Sequence, residues 1–231
     1  MDEQTLLNQH STPGLENAHT DTAYAIRNAR GSGDVRRNIL LAATNLFSAS
    51  GYHGVSVRQI VEAVGISKPT LYYYFPSKEQ LFKRIILDSL EDFRGQLQRE
   101  VARPGTIRQR LIRICQVHLD FAQRNTEECR LTYSVYFSSE RNVIDFDFNA
   151  YFRRNFEMIG DVITEGIASS ELRAADPTLM VFNFVGIINL FIMGMLYDPA
   201  EVAVDGLAEQ IVDLTLEGMA RPVAENQGGP Q

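Results

Sequence analysis

Residues 56–82 constrain this chain more than any other stretch. They read Ser-Val-Arg-Gln-Ile-Val-Glu-Ala-Val-Gly-Ile-Ser-Lys-Pro-Thr-Leu-Tyr-Tyr-Tyr-Phe-Pro-Ser-Lys-Glu-Gln-Leu-Phe. Ile60, Val61 and Val64 fall at helical spacing, as do Leu71 and Phe75. Ser56 with Gln59 three positions on has the capping-box pattern, and Ser77 with Gln80 repeats it. Ser67 marks a third start, with Pro69 in the first turn, where a missing N–H costs little. Gly65 stands where the first helix must stop and is free to turn left-handed. The segment therefore predicts two short helices joined by a tight turn, with another helix beginning at once. Helices this short do not persist alone in water. Residues 36–50 supply a cover through Ile39, Ala43, Leu46 and Phe47, and Gly51 and Gly54 then break the chain. Residues 34–84 read as a three-helix unit plus the start of a fourth helix, with a turn of helix-turn-helix length.

The side chains left over on this unit suit duplex DNA. A helix N-terminus offers unpaired N–H groups and partial positive charge to phosphate, and Ser56, Ser67 and Ser77 all mark such ends. Lys68 and Thr70 lie in the first turn of the second short helix, within reach of base edges. Tyr72, Tyr73 and Tyr74 spread over about three-quarters of a turn, so they cannot all be buried. A phenol facing the sugar-phosphate backbone donates a hydrogen bond from an apolar body. Lys78, opening the next helix, adds a cation for phosphate. Residues 34–84 hold seven basic and three acidic side chains, a charge of +4 on a chain of −7, leaving −11 elsewhere. A basic unit on an acidic body suits a nucleic acid approached through one face.

The run from Gly51 through Gly54-Val55-Ser56-Val57-Arg58-Gln59-Ile60 to Gly65-Ile66-Ser67-Lys68-Pro69-Thr70-Leu71-Tyr72-Tyr73-Tyr74-Phe75-Pro76-Ser77-Lys78-Glu79-Gln80-Leu81 resembles the N-terminal signature of the TetR family of bacterial transcriptional regulators. The resemblance covers residues 36–84, about a fifth of the chain. It implies an all-α homodimer: an N-terminal three-helix helix-turn-helix DNA-binding domain, then a C-terminal helical ligand-binding and dimerisation domain. It also implies that Ser56 and Arg58 touch DNA from the helix before the turn. Lys68, Pro69, Thr70, Tyr72 and Tyr74 would line the recognition helix, and Lys78 would hold a phosphate. Tyr73 matches a position that contacts backbone in some members and packs in others. Tyr74 stands where many members have histidine.

The first 33 residues are polar, with a Gly-Ser-Gly run at 31–33 and no apolar signal core. They are expected to form a disordered, solvated arm, the alternative being that Arg27 and Arg30 reach an adjacent minor groove. Residues 221–231 are expected to be a loose tail. The two cysteines, Cys115 and Cys129, lack metal-type spacing and favour a reducing cytoplasm, as buried inert thiols. No cofactor or metal is expected.

Residues 85–220 predict helix after helix. One stripe comprises Leu111, Ile114, Cys115, His118, Phe121 and Ala122. A second comprises Cys129, Tyr133, Tyr136 and Phe137, and a third Phe152, Phe156, Ile159, Ile163 and Ile167. Aromatics punctuated by a few polar tips suit a small-molecule pocket. His118, Phe121, Tyr133, Tyr136, Phe137, Phe152 and Phe156 are the candidate effector contacts, against a filled core with a satisfied histidine. Residues 179–197 are uncharged and long enough to span a membrane. Asn183 and Asn189 lie inside that run, and its flanks, Asp176 and Asp198, are acidic. A helix apolar all round is equally one buried between subunits. With a last helix at about 205–219 it would build the dimer interface through Phe182, Gly186, Asn189, Met193, Ile211 and Leu214.

The expected function is a sequence-specific regulator released from its operator by a small molecule, repression being the family's common outcome. The alternative is a membrane-associated or ligand-binding helical protein without a DNA role. No Ser-His-Asp or Cys-His constellation and no phosphate-binding glycine loop suggests an enzyme.

Overall fold

The computed structural model describes residues 35–137, 144–198 and 204–217. The expected arm with Arg27 and Arg30 and the expected tail at 221–231 lie outside the described residues, as does part of the loop near 142–147. Among the described residues there are nine α-helices and no strand. They are α1 (Val35–Gly54), α2 (Val57–Val64), α3 (Lys68–Tyr74), α4 (Lys78–Val101), α5 (Ile107–Arg124), α6 (Thr126–Phe137), α7 (Phe148–Ala168), α8 (Pro177–Tyr197) and α9 (Leu207–Glu217). The chain is all-α, as its periodicity predicts.

The described residues form two compact units. The first holds α1, α2, α3, α4 as far as Leu87, residues 130–137 of α6, and Ile144. The second holds α4 from Asp88, α5, α6 as far as Cys129, and α7 to α9.

In the first unit most helix signals act as read, although at Ser77 only half of the capping box forms, its Oγ accepting from the Gln80 N–H at 3.1 Å. Gly51 kinks α1 with φ 68° and ψ 171°. The Ser56–Gln59 capping box is formed in both directions. Gly65 ends α2 at φ 75° and ψ 37°, the left-handed region that suits a residue without Cβ. Its N–H donates to the Val61 carbonyl at 2.9 Å. Ile39, Ala43, Phe47, Ile60, Leu71, Leu81 and Phe82 are fully buried. The Phe47 and Phe82 rings meet edge to face at 5.0 Å, and Tyr52 lies 4.9 Å from Phe82. α1 packs on α2, and α2 on α3.

In the second unit α5 packs against α7, α8 and α9. Its predicted stripe is the buried one, from Leu111 to Ala122. The other two stripes need correction. In α6 the buried side chains of the first unit are Leu131 and Val135, whereas Phe137 is 71% exposed. In α7 the buried face runs through Phe148, Tyr151, Asn155, Ile159, Val162 and Ile163, and Phe152 and Phe156 are only half-buried. Both helices carry apolar residues on more than one side, so spacing alone admits two faces.

α8 is long and apolar enough to cross a membrane by length and composition, yet only 28% of its most apolar window is buried here. Val181, Phe184, Val185, Ile188 and Ile192 face inward. Leu179, Phe182, Leu190, Met193 and Tyr197 are exposed, as is Leu214 on α9. Gly186 opens onto empty space. Ile211, expected at a subunit interface, is instead 2% exposed and packs within its own chain.

Gly65→Ala is expected to lower stability by about 1–2 kcal/mol, because an L side chain is strained in the left-handed region even where space is open. Urea unfolding checks this; an unchanged midpoint would contradict the cap assignment.

Candidate nucleic-acid interface

Leu71 and Phe75 anchor the inner side of α3 at 0% and 4% exposure. The outer side is thereby turned to solvent. Lys68 and Pro69 are exposed, Tyr72 is 46% exposed and Tyr73 83%, while Thr70 and Tyr74 are half-buried. Tyr73 and Tyr74 meet edge to face at 5.1 Å. Ser67 caps α3: its Oγ accepts from the Thr70 N–H at 3.3 Å and lies 2.8 Å from Thr70 Oγ1. Thr70 is thus held to its own cap. Ser56 is similarly engaged, with its N–H donating to Gln59 Oε1 at 2.8 Å.

Two of the candidate contacts sit in arrangements that the motif did not foretell. Arg58 is exposed but pairs with Glu62 one turn on, Nε to Oε1 at 2.7 Å. The motif names the cation and is silent on its partner, although the four-residue spacing was there to be read. Lys78 was expected on a phosphate. Its Nζ instead donates to the carbonyls of Tyr52 and Val55, each at 2.8 Å, and sits 4.0 Å from the centre of the Tyr52 ring. Two of its three N–H donors therefore tie the end of α1 to the start of α4.

The candidate effector residues are divided between the units. In the first unit, Tyr133 and Tyr136 meet Phe137 at 6.1 and 4.9 Å. In the second, His118 and Phe121 both meet Phe93, at 4.8 and 5.2 Å, and Phe156 meets Phe182 at 5.3 Å. Phe152 meets Tyr151 at 5.3 Å. His118 Nδ1 lies 2.7 Å from the Ile114 carbonyl. A carbonyl only accepts, so Nδ1 carries the proton and Nε2 is left as an acceptor. Burial pushes the His118 pKa down to about 4, against the opposing pull of that bond, so the ring is neutral at pH 7. Cys115 and Cys129 are free and buried, and burial pushes both thiols up to about 12, which keeps them protonated and unreactive.

Residues 39–85 match the family model described as "Bacterial regulatory proteins, tetR family". RutR, an HTH-type transcriptional regulator of Escherichia coli K12, is 45% identical over 56 residues, covering 24% of this chain and 26% of that protein. The chain thus matches about a quarter of the length of this curated relative. KstR2, an HTH-type transcriptional repressor of Rhodococcus jostii RHA1, is 26% identical over 196 residues, covering 83% of this chain and 94% of that protein. The crystal structure of FadR from Bacillus subtilis, solved in complex with stearoyl-CoA, shares the fold at a TM-score of 0.64. It is 20% identical and covers 79% of this chain and 98% of that one. Residues 39–85 are thus similar to the N-terminal domain of the TetR family of bacterial transcriptional regulators, and the chain shares its fold with a solved protein of that family.

Two outcomes are expected. Lys78→Met should lower stability by about 1–3 kcal/mol, because two carbonyls lose a charged donor; an unchanged urea midpoint would contradict the role of pin. Between pH 6.5 and 4 the unfolded chain binds a proton at His118 that the folded chain refuses. Stability should therefore fall across that window by about 3 kcal/mol. In His118→Phe this part of the fall should vanish, and a fall of the same size would assign it to other groups.

Proposed function

We propose that this chain is a homodimeric transcriptional regulator that binds duplex DNA through α2 and α3 and is released by a small-molecule effector. One observation carries the DNA reading. α3 buries Leu71 and turns a lysine, a proline and two tyrosines outward from a rigid three-helix support. In this reading residues 34–84 form the reading head, with Ser56, Arg58, Lys68, Pro69, Thr70, Tyr72, Tyr73 and Tyr74 facing the duplex. Arg58 exchanges Glu62 for phosphate on binding. Lys78 acts indirectly, by fixing the position of α4. Residues 85–220 hold the effector and the dimer contact.

The dimer reading rests on α8. Leu179, Phe182, Gly186, Leu190, Met193 and Tyr197 follow one another at intervals of three and four. That is the spacing of a helical seam made to meet another helix. The exposed members of the seam, with Leu214 on α9, suit a second copy of this chain. Two copies would place two α3 helices in successive major grooves, about 34 Å apart. FadR, as a fold relative bound to stearoyl-CoA, supports an acyl-bearing effector class. Such an effector acts by preferring a dimer whose heads are wrongly spaced, which requires different affinity for the two states. Repression is the sign suggested by KstR2. A cytoplasmic location follows from this reading.

Lys68→Ala should weaken binding to the operator and make the slope of log K against log salt shallower by about one. An unaltered slope would remove Lys68 from the interface. Leu190→Glu should give monomers by sedimentation and a large loss of operator affinity; a persistent dimer would place the subunit contact elsewhere.

A further inference from the structure

α4 and α7 bring three polar side chains together inside the second unit. Tyr151, 3% exposed, donates its phenolic O–H to the Leu90 carbonyl at 2.7 Å. That bond fixes one turn of α7 against one turn of α4. One turn further along the two helices stand Asn155 and Arg94. The guanidinium carbon of Arg94 lies 4.3 Å from the centre of the Tyr151 ring. Asn155 is 5% exposed. Both approach the Tyr151 phenol closely enough to offset part of the upward push that burial puts on its pKa. Phe152 and Phe146 flank the same ring at 5.3 and 6.0 Å, so the surroundings are apolar.

Two atoms of this cluster are left over. Arg94 Nε and Asn155 Oδ1 are both buried, and neither has a hydrogen-bond partner. Among the described residues no carboxylate pairs with Arg94. Buried polar atoms are nearly always paired, so an open donor and an open acceptor on two side chains that both hydrogen-bond the Tyr151 phenol call for a group that supplies both. A carboxylate would satisfy Arg94 and repel Oδ1. A hydrocarbon would satisfy neither. A secondary amide offers its carbonyl oxygen to the Nε–H and its own N–H to Oδ1. A hydroxyl does the same through one oxygen.

We infer that the effector carries a secondary amide or a hydroxyl that docks between Arg94 and Asn155, with an apolar remainder against the neighbouring rings. The inference rests on the ligand-responsive reading above and adds the chemistry of the ligand.

The test uses the full chain and two pairs of probes, each pair differing by one donor. N-methyloctanamide is set against N,N-dimethyloctanamide, and 1-octanol against 1-methoxyoctane, with octanoate as the anionic control. Calorimetry should show one donor-bearing probe binding about tenfold more tightly than its blocked partner and than octanoate, the worth of one buried hydrogen bond. Asn155→Leu should abolish that preference, and Arg94→Met should weaken both members of the preferred pair. If neither variant folds, the preference within the wild-type protein decides alone. Equal affinity within both pairs, tighter octanoate, or no binding of any probe overturns the assignment, the last meaning that the two atoms hold an ordered water only. Duplex binding by the same preparation keeps the two levels apart. A chain that grips DNA and ignores the probes sinks this inference alone, and one that ignores DNA sinks the reading beneath it.

Discussion

The burial of a few side chains between very short helices is the constraint on which the amino-terminal unit depends. α2 has eight residues and α3 seven. Neither length sustains a helix in water. Ile60, Val61, Leu71 and Phe75 are therefore the terms that hold them, packed into a core that contains Phe47 and Phe82. Because Leu71 is the one fully buried residue of α3, most other positions of that helix are turned outward. The exposed lysine and tyrosines are thus a consequence of the packing. The same core explains why Lys78 lies where it does. Tyr52, stacked near Phe47 and Phe82, offers its ring and its carbonyl to the ammonium.

Most of this unit was legible in the sequence because its signals are local. A serine three residues before a glutamine, a glycine at a helix end and a proline in a first turn each act within one turn of chain. Ser56, Gly65, Ser67 and Pro69 all stand as those rules place them. What was not legible depends on residues far apart. The Lys78 ammonium is bound 26 and 23 residues back along the chain, and no local rule carries such a pairing. In the acidic body the difficulty was different. α6 and α7 carry aromatics on several sides, so spacing does not say which rings form the inner face. The core took Leu131, Val135, Tyr151 and Asn155 instead. Nothing local in the sequence marks Asn155 or Arg94, because a polar residue in a helix reads as solvent-facing and only the packing buries Asn155 and the Arg94 Nε.

α8 joins stability to the proposed assembly. Val181, Phe184, Val185, Ile188 and Ile192 bind it to its own unit, and the other apolar side is uncovered. A hydrocarbon face of that length in water favours association, which is why the membrane reading and the dimer reading arise from the same residues. The regular three-and-four spacing of the outer side favours a helical partner. Regulation in this account requires no contact between effector and DNA. It requires only that the effector and the duplex prefer different arrangements of two copies.

The central claim is that two copies of this chain grip one duplex through their amino-terminal units. Selection of bound duplexes from a random pool, read against salt concentration, tests it most directly. The account predicts enrichment of an inverted repeat, two chains per duplex, and affinity that falls steeply as salt rises. Recovery of no duplex even in dilute buffer would contradict it.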